Sequence, residues 1–133
     1  MQYYHNDGFA NDIMKQTPQI PGNNFNEMYD LINQYLEEYK DKYTWQRCPS
    51  LLADVSDRSV DCVFIDGDHS YNAVISDLLF WYKKVRPGGK IVGDDYWMAD
   101  VKKAVHEFQV KIGKAPIFIQ KEGTNYDIYC FDV

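Results

Sequence analysis

Two short apolar segments of this chain each end in carboxylates, and one segment of helical length joins them. The first apolar segment is Val60–Ile65 and the second is Lys90–Gly93. Both are rich in the β-branched and aromatic residues that favour strands. Acidic residues and one histidine follow them directly: Asp66, Asp68 and His69 after the first, and Asp94 and Asp95 after the second.

The linking segment predicts a crossover helix between two parallel strands. Apolar residues recur at helical spacing from Tyr71 to Val85, which gives one side that can pack on a sheet. Val60–Ile65 is nearly continuously apolar, so we expect it to be buried on both faces. Ligands of open α/β sheets gather beyond the carboxyl ends of parallel strands. The acids and the histidine should therefore meet in one crevice.

The rest of the chain predicts further helices and strands around this unit. We expect residues 1–24 to form an irregular N-terminal arm and residues 25–133 to form one α/β domain, in which a parallel sheet ends in an antiparallel hairpin. The predicted elements are a helix from Asn24 to about Tyr39, a strand at Tyr43–Cys48, a short helix at Ser50–Val55, a helix at Val101–Ile112, and hairpin strands at Ile117–Gln120 and Tyr126–Phe131.

Composition excludes several classes of partner. The net charge of -6 disfavours binding to nucleic acid and to anionic membranes. No apolar run approaches the roughly 20 residues of a membrane span, and the first residues lack the pattern of a signal peptide. We therefore expect a cytoplasmic protein. Its three cysteines, Cys48, Cys62 and Cys130, are expected to be buried free thiols.

These motifs resemble the second half of a class I S-adenosylmethionine-dependent methyltransferase. The resemblance is strongest to the metal-dependent O-methyltransferases, including the cephalosporin-hydroxylase-like group. It implies a three-layer sandwich with a truncated Rossmann-like sheet, S-adenosylmethionine as cofactor, and a small hydroxylated acceptor such as a sugar or a catechol. The matching segments are Val63–Tyr71, Arg86–Gly89 and Val92–Tyr96, with weaker support from Arg47–Ser50 and Val101–Val105.

The resemblance also implies roles for the clustered residues. Asp66, Asp94 and Asp95 would bind a divalent cation, most simply Mg²⁺, because hard ions prefer carboxylate and water oxygens. His69, together with Asp66, would serve catalysis, since an imidazole can accept a proton near neutral pH. The alternative is that these residues only form turns and helix caps. Asp68 is expected to bond the loop backbone, while Tyr96 and Trp97 could pack or line an acceptor pocket.

One part of the methyltransferase pattern is not found in this sequence. The glycine-rich turn that approaches the cofactor is absent, so no cofactor-binding residue is assigned. Without the strands of that half, the Val60 strand would be an edge or would pair with the Tyr43 strand, and exposed edges invite pairing. We therefore expect a homodimer or a partner chain that supplies the missing strands. The alternatives are a degenerate, non-catalytic binding module and a metal-dependent hydrolase.

Overall fold

The computed structural model describes residues 25–119 and 128–133. The predicted arm at residues 1–24 and the turn at Glu122–Asn125 lie outside the described residues. The chain divides into two compact units, with the boundary between Arg47 and Cys48. The second unit carries all of the clustered acids.

In the described residues, the second unit is built on a four-stranded mixed sheet. Strand β1 (Val60–Ile65) is followed by helix α2 (Tyr71–Lys84), strand β2 (Val85–Gly93) and helix α3 (Ala99–Ile112). Strands β3 (Ile117–Ile119) and β4 (Ile128–Asp132) complete the sheet, whose order is β1-β2-β4-β3. The β1–β2 pair is parallel, and β4 is antiparallel to both β2 and β3. The predicted α/β class, with a truncated Rossmann-like sheet and a C-terminal antiparallel hairpin, is confirmed.

Helices α2 and α3 pack on each other and enclose the core against the sheet. Phe108 of α3 is fully buried, and its ring meets Tyr82 of α2 and Phe131 of β4 edge to face, with centroids 5.6 and 5.0 Å apart. Such pairs add to the free energy gained by burying apolar area. The buried apolar residues of this core are Ile65, Val74, Ile75, Leu78, Val85, Ile91, Val101, Ala104, Val105, Phe108, Tyr129 and Phe131.

A short 3-10 helix, Ser50–Leu52, is held against α2 by a chain of polar contacts. The indole N–H of Trp81 donates to Oγ of Ser50 at 2.8 Å, and Ser50 is hydrogen-bonded to the carboxylate of Asp77. The longer helix predicted for Ser50–Val55 is wrong, because the backbone becomes extended at Ala53.

The Pro87-Gly88-Gly89 motif lies inside β2 and not at the end of α2. The helix ends at Lys84 and the chain passes directly into β2. The motif forms a bulge instead, since Val60 pairs with Val85 while Cys62 pairs with Lys90. Glycine is needed in this bulge, because a Cβ on Gly89 would lie 2.6 Å from the carbonyl oxygen of Asp61.

The first unit contains helix α1, Phe25–Tyr35, and a 3-10 helix at Glu37–Lys42. The prediction of a strand at Tyr43–Cys48 is wrong, because this segment has no strand pairing in the part of the chain that the structure describes. Trp45 turns toward α1 instead, where its indole N–H donates to Oδ1 of Asn33 at 2.7 Å and its ring contacts Tyr29. These side-chain contacts with the helix take the place of strand pairing.

Strand β1 lies at one edge of the sheet, with a neighbour on one side only in the described part of the chain. The prediction that it is buried on both faces is wrong, since Asp61 and Cys62 are exposed. All three cysteines are free, as predicted, but Cys48 is also exposed and only Cys130 is buried. An edge strand has fewer neighbours to cover its outer residues.

None of the helices in residues 25–119 and 128–133 has the length and apolar character that a membrane crossing requires.

Candidate functional site

The carboxyl ends of β1 and β2 bring the predicted site residues together. Asp66 is the first residue after β1, and Asp94 is the first after β2. The backbone N–H of Asp94 donates to the carbonyl of Ile65 at 3.2 Å, so the ladder between the strands continues to the point where both end. The expected meeting of the two acidic segments is therefore confirmed.

Three side chains converge at this point. One ligand atom from each of Asp66, His69 and Asp95 lies within 4.8 Å of the other two. Nε2 of His69 is 2.9 Å from Oδ2 of Asp95 and 3.7 Å from Oδ1 of Asp66. We call these three residues the Asp66–His69–Asp95 cluster. Two carboxylates that face one imidazole nitrogen form a donor set typical of divalent-metal sites.

The imidazole of His69 provides a test of whether a cation fits the cluster. Its Nε2 atom is shielded from solvent and has no hydrogen-bond partner in the described residues. The nitrogen nevertheless lies 2.9 Å from Oδ2 of Asp95, within ion-pair distance. Buried polar atoms without partners are uncommon and call for an explanation. A cation bound between the carboxylates and this nitrogen would provide one.

The backbone at Asp95 turns sharply to direct its carboxylate inward. Its φ is 57°, in the left-handed region, where Asp and Asn are tolerated better than other non-glycine residues. Oδ1 of Asp94 accepts the N–H of Asp95 at 2.7 Å and stabilises this turn. Asp94 is thus adjacent to the cluster, and its predicted role as a metal ligand stays a prediction.

Asp68 has the local role that was expected from the sequence. Its Oδ1 accepts the backbone N–H of Ser70 at 2.8 Å, just before α2 begins. This hydrogen bond holds the pKa of the Asp68 carboxyl below its usual value. Asp68 therefore shapes the turn that carries His69 into the cluster.

Two aromatic residues that follow the cluster differ in role. The ring of Tyr96 packs on Phe118, with centroids 4.4 Å apart. Trp97 is 56% exposed, and its indole N–H donates to Oδ1 of Asp95 at 2.8 Å. The sequence placed Trp97 near an acceptor pocket but gave no signal of this hydrogen bond. Each oxygen of the Asp95 carboxylate therefore has a nitrogen neighbour.

A buried tyrosine supports the end of β2 from inside the core. The ring of Tyr129 lies so close to Gly93 that a Cβ there would be 2.2 Å from the ring carbon and the hydroxyl oxygen. Burial raises the pKa of the Tyr129 phenol, and the charges of Asp77 and Asp94 raise it further. Tyr129 is therefore a neutral packing residue at neutral pH. Gly93 permits its close approach beside the acidic turn.

Comparison with known proteins places these features in a family. Residues 5–96 match the family described as a methyltransferase domain. The match includes the whole of β1, α2 and β2 and reaches Tyr96, which follows Asp95. It also extends toward the N-terminus beyond the segment whose motifs first suggested the resemblance.

A viral protein shares part of this sequence. An uncharacterized protein of Acanthamoeba polyphaga mimivirus is 37% identical over 75 residues, which amount to 53% of this chain and 34% of the viral protein. The chain thus spans about a third of the length of that relative.

Proposed function

This chain belongs to the methyltransferase-domain family, and we propose that it acts in the metal-assisted O-methylation of a small hydroxylated acceptor. Methyltransferases of this kind generally use S-adenosylmethionine as the methyl donor. The observation that carries the proposal is the convergence of Asp66, His69 and Asp95 within 4.8 Å at the carboxyl ends of β1 and β2. That edge of the sheet is where α/β enzymes bind their ligands.

The residues of the cluster have separate tasks in this proposal. Asp66 and Asp95 hold a divalent cation, and Asp94 completes the acidic turn beside them. A divalent cation at this site would lower the pKa of an acceptor hydroxyl and orient its oxygen. Nε2 of His69 lies 3.7 Å from Asp66 and 2.9 Å from Asp95, so it would lie beside an ion held by these carboxylates, either to accept the proton of a bound hydroxyl or to join the coordination.

The surroundings of the cluster favour a small acceptor. Trp97 exposes more than half of its surface next to Asp95. An exposed indole provides a flat apolar surface on which a sugar or a catechol ring can stack.

Ligand titration tests the proposal directly. Calorimetry should show binding of S-adenosylmethionine or S-adenosylhomocysteine, and millimolar Mg²⁺ or Mn²⁺ should raise the melting temperature by mass action. The rise in melting temperature should vanish in Asp66→Asn and persist in Asp57→Asn, because Asp57 is an exposed partner of Lys84 and is not a member of the cluster. A wild-type protein that binds neither the metal ions nor the cofactor would overturn the proposal.

A second candidate function is a non-catalytic methyltransferase-like module that works with a second chain. The position of β1 at the edge of the described sheet favours it, as does the absence of a glycine-rich turn from the sequence. This candidate predicts no cofactor binding by the chain alone and a stable homodimer or complex. Transfer of a labelled methyl group from S-adenosylmethionine to an acceptor would exclude it.

A further inference from the structure

We infer that His69 is itself a ligand of the cation, and that the site therefore prefers a transition-metal ion to Mg²⁺. The inference rests on the proposed function, because it assumes that Asp66 and Asp95 hold a metal ion. It changes the role of the histidine from proton acceptor to ligand, and it changes the class of ion that the site selects.

The positions of the ligand atoms support this role. Ligands that are neighbours around an octahedral ion, each at about 2.1 Å from it, lie roughly 3 Å apart. Nε2 of His69 is 2.9 Å from Oδ2 of Asp95 and 3.7 Å from Oδ1 of Asp66. These separations are close to those of a ligand set and require only small adjustments of the side chains.

The state of the imidazole nitrogen is the second line of support. A histidine that serves as general base should present its nitrogen to the acceptor or to solvent. Nε2 of His69 is instead shielded from solvent, faces two carboxylates and has no hydrogen-bond partner in the described residues. The part of the side chain that is exposed, 37% of its surface, is therefore the rest of the ring. This nitrogen therefore lies where it can join Asp66 and Asp95 in binding one ion.

The donor set then determines which ions bind well. Carboxylate and water oxygens suit Mg²⁺ and Ca²⁺, whereas an imidazole ligand favours Fe²⁺, Co²⁺ and Zn²⁺. Asp66, Asp95 and His69 provide two carboxylates and one imidazole. A site of this composition leaves several coordination positions for an acceptor with two adjacent hydroxyls.

Spectroscopy of the Mn²⁺-loaded protein tests the inference independently of activity. Electron spin echo modulation detects the ¹⁴N nucleus of an imidazole that is bound directly to Mn²⁺. We expect this ¹⁴N signal in the wild type and its loss in His69→Ala. It should persist in His106→Ala, a matched control in which the removed histidine is exposed on α3.

Affinity measurements provide the second readout. The ratio of Co²⁺ affinity to Mg²⁺ affinity should fall about tenfold or more in His69→Ala, because the variant keeps only the oxygen ligands. Cys48 and Cys62 are exposed and free, so both are replaced by serine in every protein compared. This removes thiols that would bind Co²⁺ elsewhere.

The outcomes separate this inference from the proposed function. One outcome would be that the wild type binds Mn²⁺, that Asp95→Asn does not, and that the wild type gives no ¹⁴N signal. In that case the carboxylates hold the ion and His69 is not a ligand. A ¹⁴N signal that persists in His69→Ala would also overturn the inference. If wild type and Asp95→Asn both fail to bind Mn²⁺, Co²⁺ and Mg²⁺, the inference and the metal-assisted mechanism are both wrong.

Discussion

The indole N–H of Trp97 donates a 2.8 Å hydrogen bond to Oδ1 of Asp95. The other oxygen of this carboxylate, Oδ2, lies 2.9 Å from the imidazole of His69. Trp97 thus fixes the rotation of the Asp95 carboxylate from the solvent side. Hydrogen bonds to metal-binding groups orient them and commonly contribute tenfold or more to metal affinity.

If Asp95 binds a cation as proposed, Trp97→Phe should weaken cation binding more than it weakens the fold. The variant keeps an aromatic ring but removes the hydrogen bond to Asp95, so we expect Mn²⁺ affinity to fall about tenfold. Stability should change by less than about 1 kcal/mol, because Trp97 is largely exposed. Trp45→Phe is the matched control, since it removes an equivalent hydrogen bond to Asn33 in the other unit. Equal Mn²⁺ affinities in both variants would contradict the assigned role.

Gly93→Ala should destabilise the protein by about 3 kcal/mol. The added Cβ would lie 2.2 Å from the ring of buried Tyr129, so that ring or the end of β2 must move. Urea unfolding followed by circular dichroism measures the loss. Gly67→Ala provides a control on the other strand end, because a Cβ at Gly67 has no atom within 4 Å. A loss of stability as large in Gly67→Ala would show that the clash is not the cause.

Asp77→Asn should stabilise the protein at neutral pH by at most about 1 kcal/mol. Burial raises the pKa of the Asp77 carboxyl above its ordinary value of 3.8, although its hydrogen bond with Ser50 acts in the opposite direction. The folded state thus binds the proton more tightly than the unfolded state. The free energy of unfolding must fall as the pH rises from 3.8 through the folded pKa, and it stays low above that pKa.

Denaturant unfolding of wild type and Asp77→Asn between pH 3 and pH 7 measures this difference. The stability advantage of the variant should shrink as the pH falls below the folded pKa. Asp57→Asn is the control, because Asp57 is an exposed partner of Lys84 at 2.8 Å, and its replacement should give no stabilisation. An advantage of Asp77→Asn that does not vary with pH would rule out burial of the charge as its origin.

Tyr71→Phe should reduce stability slightly at neutral pH and have less effect in acid. The hydroxyl of Tyr71, at the start of α2, donates to Oε2 of Glu107 on α3. This hydrogen bond lowers the pKa of the Glu107 carboxyl from 4.5. Its contribution is therefore present above pH 4.5 and is lost as the pH falls through the folded pKa.

A double-mutant cycle with Glu107→Gln isolates this coupling between the two helices. The coupling energy from thermal unfolding should be favourable at pH 7 and should decline toward pH 3. A coupling that stays constant over this range would mean that the two side chains interact through packing alone.

The core of the fold could be predicted from the sequence because its elements have strong and regular patterns. The spacing of Val74, Ile75 and Leu78 identified α2, and the apolar segment Val60–Ile65 identified β1. The meeting of Asp66 and Asp95 followed from the parallel order of the two strands. These predictions needed only local patterns and the general rule for α/β topology.

Other features depended on contacts that no local pattern shows. The Tyr43–Arg47 segment has the aromatic residues of a strand, but Trp45 finds its partners on α1. The left-handed backbone of Asp95 and the hydrogen bond from Trp97 both depend on how the chain turns after β2. The proximity of His69 to both carboxylates likewise depends on where β1 and β2 end relative to each other, which no local sequence pattern shows.

The edge position of β1 couples two equilibria, the addition of a further strand to β1 and the binding of a cation by the cluster. Asp66 is carried by a strand that is hydrogen-bonded on one side only in the described part of the chain. Any strand that adds to the open side and restricts the fraying of β1 would lower the entropic cost of holding Asp66 in place. Cation affinity would then increase, and reciprocity requires the cation to strengthen the strand addition by the same factor. Amide hydrogen exchange along β1 would report both events, because each would slow the opening of the same strand.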